Sequence, residues 1–345
     1  MNHVNNDIQS AAILPSTLKV IESGRGALYR LALPPVFPGF DMFLTPWVIV
    51  DRERDRNTVV DVGPAVTVPS LIAGLRELGI SRVDYVLITH AHIDHMGGLG
   101  DFLAHHPEAI VMAHPKGHPH MIEPSRLMQA SIQTLGEIGR AYGPISPVPA
   151  ENLQPTGSSV EGLLSIDTPG HSPHHFSFIY GLGDKKIMFA GEALGIYTWE
   201  GHGLPEEDGE GFLPYIRPAT PPRFFYDVAM QSLEALRNHD VSAICYGHFG
   251  YTRRSGLLID MHKRQLELWK SVTSRTLDRY SASRPSSDEL CQAVLEDLLA
   301  QDKHLSAFSR FTGDVRAREL SFINNSIKGF VGYVEESRRP TRERE

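Results

Sequence analysis

Between residues 17 and 62, four short runs rich in β-branched and aromatic side chains, TLKVIESG, ALYRLALP, MFLTPWVIVD and TVVDVG, are separated by Gly, Pro, Asp and Asn. Such side chains fit a pleated, half-buried surface and the interruptions favour turns, so the stretch predicts successive antiparallel strands. The period changes in VPSLIAGLRELGI, where Leu71, Leu75 and Leu78 keep helical spacing and Gly79 closes the helix. VDYVLITH then predicts a buried strand, DHMGGLGDFLAHH a turn into a helix, and AIVMAH another strand. The run MIEPSRLMQASIQTLGEIGRAYG, residues 121–143, predicts helix and is a candidate cover. Strands with Gly-rich turns return in LLSIDTPGH, HHFSFIYG and KKIMFAGEAL. The helix FFYDVAMQSLEALRNHD precedes a last strand, VSAICYGHFG. Past residue 251 the pattern becomes wholly helical in three amphipathic stretches, the second opening with Ser286 three residues before Glu289, the spacing of a capping box. The predicted organisation is therefore a mixed α and β unit over 1–251 and an all-helical extension over 252–345.

Composition narrows the class without naming a function. The 345 residues carry a net charge of -8 and 41% hydrophobic side chains, typical of a globular protein and unsuited to polyanions, so nucleic acid is not an expected partner. Only two cysteines occur, Cys245 and Cys291, outside any CxxC spacing, which gives neither a disulfide framework nor a thiolate zinc site. No run approaches the roughly 20 apolar residues of a membrane span, and the N-terminus lacks the basic-then-apolar order of a secretory signal. The expectation is a cytoplasmic protein with a small-molecule partner, self-association being left open. Histidine is the count that stands out, at 17.

Its distribution is more informative than its number. In THAHIDHMGG, directly after a predicted buried strand, His90, His92, Asp94 and His95 occupy six positions. His90 and His92, two apart on extended backbone, point the same way and can grip one ion, while Asp94 and His95 on the following turn can face another. Imidazole and carboxylate suit zinc, iron or manganese, and the lack of thiolates favours a reactive site over a closed structural one. Further candidates sit at the ends of later strands in glycine-containing turns: His171 in TPGHSPHH, Glu192 in AGEAL and His248 in YGHFG.

In order and spacing these motifs, with VVDVGP around Asp61, resemble those of the metallo-β-lactamase superfamily over residues 17–251. The resemblance implies an αββα sandwich with two divalent transition-metal ions at one edge. Carried over by position, it implies His90, His92 and His171 on the first metal, Asp94, His95 and His248 on the second, and Glu192 as the bridge. Glu192 departs from the usual aspartate. Asp61 would orient a histidine ligand from behind. A narrower likeness, in AGEALGIY, RPATPP and the helical C-terminus, is to thioesterases of the quinolone-signal-effector type, whose helical extension narrows the entrance to the site. Leu268, Trp269, Phe308, Phe311 and Phe322 are apolar candidates for that role.

Two cations roughly 3.5–4 Å apart share a water, lower its pKa and present it as hydroxide without a protein base. The expected activity is hydrolysis of a thioester, ester or lactone, with zinc foremost and iron or manganese as alternatives. Asp94 would orient the nucleophile and His175 would act as a donor behind the ligands or as a substrate contact. Tyr197, Trp199 and His202, in or beside a long Gly-rich acidic loop, and Trp269 and Phe311 of the extension are candidate substrate contacts. A di-iron redox enzyme and a metal-binding regulatory protein with incidental turnover are the competing classes.

Overall fold

The structure, a computed structural model, describes residues 13–154, 159–198, 213–280 and 286–339. Six strands form the first sheet in chain order: β1 (Ser16–Ser23), β2 (Gly26–Ala32), β3 (Trp47–Asp51), β4 (Arg56–Val60), β5 (Tyr85–Leu87) and β6 (Ile110–Met112). β1 to β4 are antiparallel, with tight turns joining β1 to β2 and β3 to β4, and β4, β5 and β6 are parallel. Helices make the parallel crossovers: α1 (Val68–Glu77) between β4 and β5, then α2 (Ile93–Met96) and α3 (Leu99–His105) between β5 and β6. The arm that follows is α4 (His118–Ile122), α5 (Ser125–Leu135) and α6 (Glu137–Ala141).

The second sheet has the order β13-β12-β9-β8-β7, built from β7 (Leu163–Asp167), β8 (Phe176–Leu182), β9 (Lys185–Gly191), β12 (Ala243–Tyr246) and β13 (Tyr251–Thr252). A separate ribbon pairs β10 (Ile196–Thr198) with β11 (Tyr215–Arg217), and α7 (Tyr226–Arg237) precedes β12. The period of two sorts each strand's side chains between layers. Trp47 and Ile49 meet Phe178 and Phe189 between the sheets, whereas Val48 turns outward onto Leu71, Leu75 and Phe102. Met188, Ala190 and Ile244 turn outward on the other side, onto Leu233 and Leu236 of α7. Helix, sheet, sheet and helix thus stack as the expected αββα sandwich.

The C-terminal helices are α8 (Ser255–Tyr280), α9 (Ser287–Gln301) and α10 (Gly313–Arg338). The capping box of α9 is formed: the Glu289 amide donates to Ser286 Oγ, and the Ser286 amide donates to Glu289 Oε2 at 2.8 Å. The extension does not bury its apolar faces separately. Leu258, Trp269, Val294 and Phe330 join the outer layer of the second sheet in one continuous core. Among the described residues, no helix is long and apolar enough to cross a membrane.

Candidate metal centre

The loops that leave β4, β5, β7, β9 and β12 converge at one edge of the sandwich, where two groups of side chains meet. His90, His92, His171 and Glu192 form one; Asp94, His95 and His248 form the other. Within each group the ligand-capable atoms lie within 4.8 Å of one another. His92 Nδ1 is 2.9 Å from His90 Nε2 and 3.0 Å from His171 Nε2. Glu192 reaches both groups: its Oε2 is 2.9 Å from His171 Nε2 and 3.6 Å from His95 Nε2, and its Oε1 is 3.7 Å from His248 Nε2. Asp94 Oδ2 lies 3.5 Å from His248 Nε2.

Neighbouring acceptors decide which imidazole nitrogen faces the centre. His171 Nδ1 donates to the Ala219 carbonyl at 2.7 Å and His248 Nδ1 to the Phe43 carbonyl at 2.9 Å, because a carbonyl can only accept. Asp61, buried and at φ 54°, organises two more. Its Oδ2 accepts from His95 Nδ1 at 2.8 Å and from the Thr89 hydroxyl at 2.9 Å, and its Oδ1 accepts from the Thr89 amide at 2.9 Å. With the hydroxyl proton committed to Asp61, Thr89 Oγ1 accepts from His90 Nδ1 at 3.0 Å. All four rings therefore turn an Nε2 lone pair inward, the arrangement in which partners behind a histidine fix it as a ligand.

Behind Glu192 a closed relay holds the backbone. The Glu192 amide donates to His175 Nε2 at 3.1 Å, and His175 Nδ1 donates to Thr168 Oγ1 at 2.8 Å. Thr168 pairs with Ser177 Oγ at 3.0 Å, and Ser177 Oγ donates to the Ala190 carbonyl at 3.2 Å. Each donor is matched to an acceptor, and the chain begins and ends on the segment that carries Glu192. Gly191 makes this possible: it sits at φ 54°, and a Cβ there would lie 2.5 Å from His175 Nε2.

Burial, His95 and His92 push the His90 imidazole well below its ordinary value. Burial acts downward on His95 too, but Asp94 and Asp61 outweigh it and raise it well above. Burial opposes ionisation of Glu192, yet His171 and the other imidazoles hold its carboxyl well below the usual carboxylate range. The surrounding imidazoles thus stabilise the Glu192 carboxylate between the two groups. The donor set also fits divalent metal ions: inward lone pairs crowd together, and His95 Nε2 is buried with no hydrogen-bond partner among the described residues.

A sequence model described as the metallo-beta-lactamase superfamily matches residues 42–248, more than half of the chain. The chain belongs to that superfamily. It resembles the metallo-beta-lactamase fold-containing protein ST1585 of Sulfurisphaera tokodaii, with 23% identity over 54% of this chain and 67% of that protein. It also resembles a hydroxyacylglutathione hydrolase of Alkalilimnicola ehrlichii, with 40% identity over 23% of this chain. The chain spans only 30% of that hydrolase's length. The structure of a metallo-beta-lactamase family protein from Thermus thermophilus, TTHA1429, aligns with a TM-score of 0.58 at 21% identity, covering 90% of this chain and 93% of that one, which shows a common fold.

The superfamily site here opens into a cavity of about 530 Å³. Its floor includes His92, Asp94, His171, Glu192 and His248; Leu127, Leu135 and Ile138 of the arm and Phe322 of α10 supply apolar wall. The helical cover expected at 121–143 and the extension therefore both reach the metal edge. Four expected contacts are corrected. Tyr197 is fully buried with its ring stacked on Tyr246 at 5.2 Å, and Phe311 packs edge-on against Tyr215 at 5.1 Å. Trp269 is fully buried and donates Nε1–H to Asp302 at 2.8 Å. None of these three lines the cavity. His175 is likewise enclosed and meets no cavity; of its two expected places it occupies the one behind the ligands, where it holds the Glu192 backbone. Trp199 and His202 lie outside the described residues. Sequence reasoning did not single out Phe43, Tyr142, Arg217 or Asn325, which line the cavity. The helical face of 121–143 and, on the extension, Phe322 were the parts of that wall the sequence signalled.

Proposed function

We propose that the protein is a dinuclear-metal hydrolase that cleaves an acyl compound at its carbonyl, a thioester foremost, with esters and lactones as the related class. The observation that carries this reading is the convergence of seven ligand-capable side chains, four of them imidazoles with tautomers fixed from behind, at the floor of a largely apolar cavity. His90, His92 and His171 would hold one ion and Asp94, His95 and His248 the other, with Glu192 between them. Zinc is the first candidate, iron or manganese the alternatives. When bound, such ions polarise a carbonyl and lower the pKa of water.

The chain's own contribution is placement. Asp94, within reach of both His95 and His248, can orient the attacking water, and the apolar wall excludes bulk solvent from an acyl group. Residues 1–251 would be the catalytic unit and 252–345 the roof. Likeness to a hydrolase named for an acylated glutathione supports thioesters as the first class to test. The experiment is a metal-analysed preparation assayed on acyl thioesters, aryl esters, lactones and phosphodiesters. Two ions per chain and preferential thioester turnover, both lost in H90A/H92A with the fold retained, are expected. Fewer than about one ion after reconstitution, or phosphodiester turnover alone, would overturn the proposal.

A further inference from the structure

The Ala219 and Phe43 carbonyls that fix the tautomers of His171 and His248 are both braced by the C-terminal helix α10. We propose that α10 is a positioning element for one histidine of each metal group, acting through Ser326 on His171 and through Phe322 and the Arg318–Glu319 pair on His248. This rests on the metal-centre reading above and goes beyond it, because the extension then determines metal affinity as well as access.

The first brace is short. Ser326, 1% exposed, donates Oγ–H to the Pro218 carbonyl at 3.0 Å and accepts from the Thr220 amide at 3.3 Å. Thr220 Oγ1 returns a bond to the Ser326 carbonyl at 3.2 Å. These bonds grip the residues on either side of Ala219, whose carbonyl accepts from His171.

The second brace is a ring series with a buried ion cluster beneath it. The His248 imidazole lies 3.8 Å from the Phe43 ring at an interplanar angle of 20°, and Phe322 lies 5.5 Å from Phe43 at 8°. Phe40 adds edge contacts to Phe43 at 5.0 Å and to Phe322 at 6.1 Å. One turn before Phe322, Glu319 is fully buried; its Oε2 accepts from Arg217 Nε at 2.6 Å and Tyr215 Oη at 2.8 Å, and its Oε1 from Arg318 Nε at 3.1 Å. Arg318 Nη1 in turn donates to the Gly39 carbonyl, in the loop that carries Phe40 and Phe43. Its guanidinium faces the ring of Phe249, the residue after His248, at 4.9 Å. A buried ion cluster of this kind adds little net stability over apolar packing; its part in the proposal is to hold the register of α10. The register it sets puts Phe322 against Phe43 and Ser326 against Pro218 and Thr220.

The two braces are separable, and that makes the test sharp. Cobalt(II) and zinc binding to metal-depleted protein is measured by calorimetry and absorption, the steps being assigned with H171A and H248A. F322L, which keeps an apolar side chain and removes the ring, should weaken the step that H248A abolishes, on the order of tenfold, and spare the other. S326A should weaken the step that H171A abolishes and spare the first. E319Q, which loosens the register both braces share, should weaken both steps; if it fails to fold, F322L and S326A carry the test. Y333F, on α10 but bonded to Asp227, is the control and should leave both steps unchanged. The inference is overturned if folded F322L and S326A bind both ions as the wild type does. It is overturned equally if all variants, Y333F included, weaken both steps alike. Wild-type protein that binds no metal would overturn the hydrolase proposal and this inference together, whereas two normal sites with insensitive variants would overturn this inference alone.

Discussion

Replacing Asp61 by asparagine tests how the sequence position behind the ligands controls metal binding. Asp61 accepts three hydrogen bonds, from the Thr89 amide, the Thr89 hydroxyl and His95 Nδ1, at 2.8 to 2.9 Å. In D61N one oxygen still serves the Thr89 amide, but an NH₂ group faces two donors. The Thr89 hydroxyl can rotate to accept from it, and its own proton then turns towards His90 Nδ1, which favours His90 protonation on Nε2. His95 loses its acceptor outright. Each ring is then free to carry its proton on Nε2, the nitrogen that must be a lone pair for coordination. A hydrogen bond to a charged group is worth about 1.5–3 kcal/mol, and about 1.4 kcal/mol is a factor of ten in affinity, so a loss of about ten- to a hundredfold per affected site is expected. Zinc competition against a chromophoric chelator, with circular dichroism to confirm folding, measures it. Zinc affinity within about threefold of the wild type at both sites would refute the tautomer argument, since less than about 0.7 kcal/mol would then separate the two.

Two further predictions follow from packing and burial. G191A should cost about 2–4 kcal/mol in chemical denaturation and impair metal retention, because its backbone is left-handed and its Cβ would meet His175 Nε2 at 2.5 Å; a change below about 0.5 kcal/mol would contradict the relay behind Glu192. The second concerns His262 on α8, fully buried against the Tyr246 hydroxyl at 3.1 Å, where burial depresses its pKa from 6.5 to about 3. The unfolded chain takes up this proton near pH 6.5 and the folded chain only near 3, so the contribution is complete above 6.5 and is lost as pH falls towards 3. In metal-depleted protein, H262Q should flatten the stability profile across that window by up to about 1.4 kcal/mol per pH unit, and parallel urea-denaturation profiles would refute it.

The chemistry at the edge of the sandwich was legible in the sequence because it is local. Strand and helix periods follow from side chains two or four residues apart, and the grouping of His90, His92, Asp94 and His95 needs only one turn of chain. The later ligands could be ordered by motif, and the structure gathers His171, Glu192 and His248 into the same two groups. What lines the cavity could not be read in this way. Trp269 and Phe311 are as apolar as Phe322, and helical periodicity says only that such faces are buried, not against what. The decision came from the docking of three helices: α10 packs Phe322 against Phe43, while Trp269 on α8 is claimed by Asp302. The relay through His175 and the Ala219 and Phe43 carbonyls is equally tertiary. Backbone acceptors carry no side-chain signature, so only the folded chain determines which nitrogen of each histidine faces the metals.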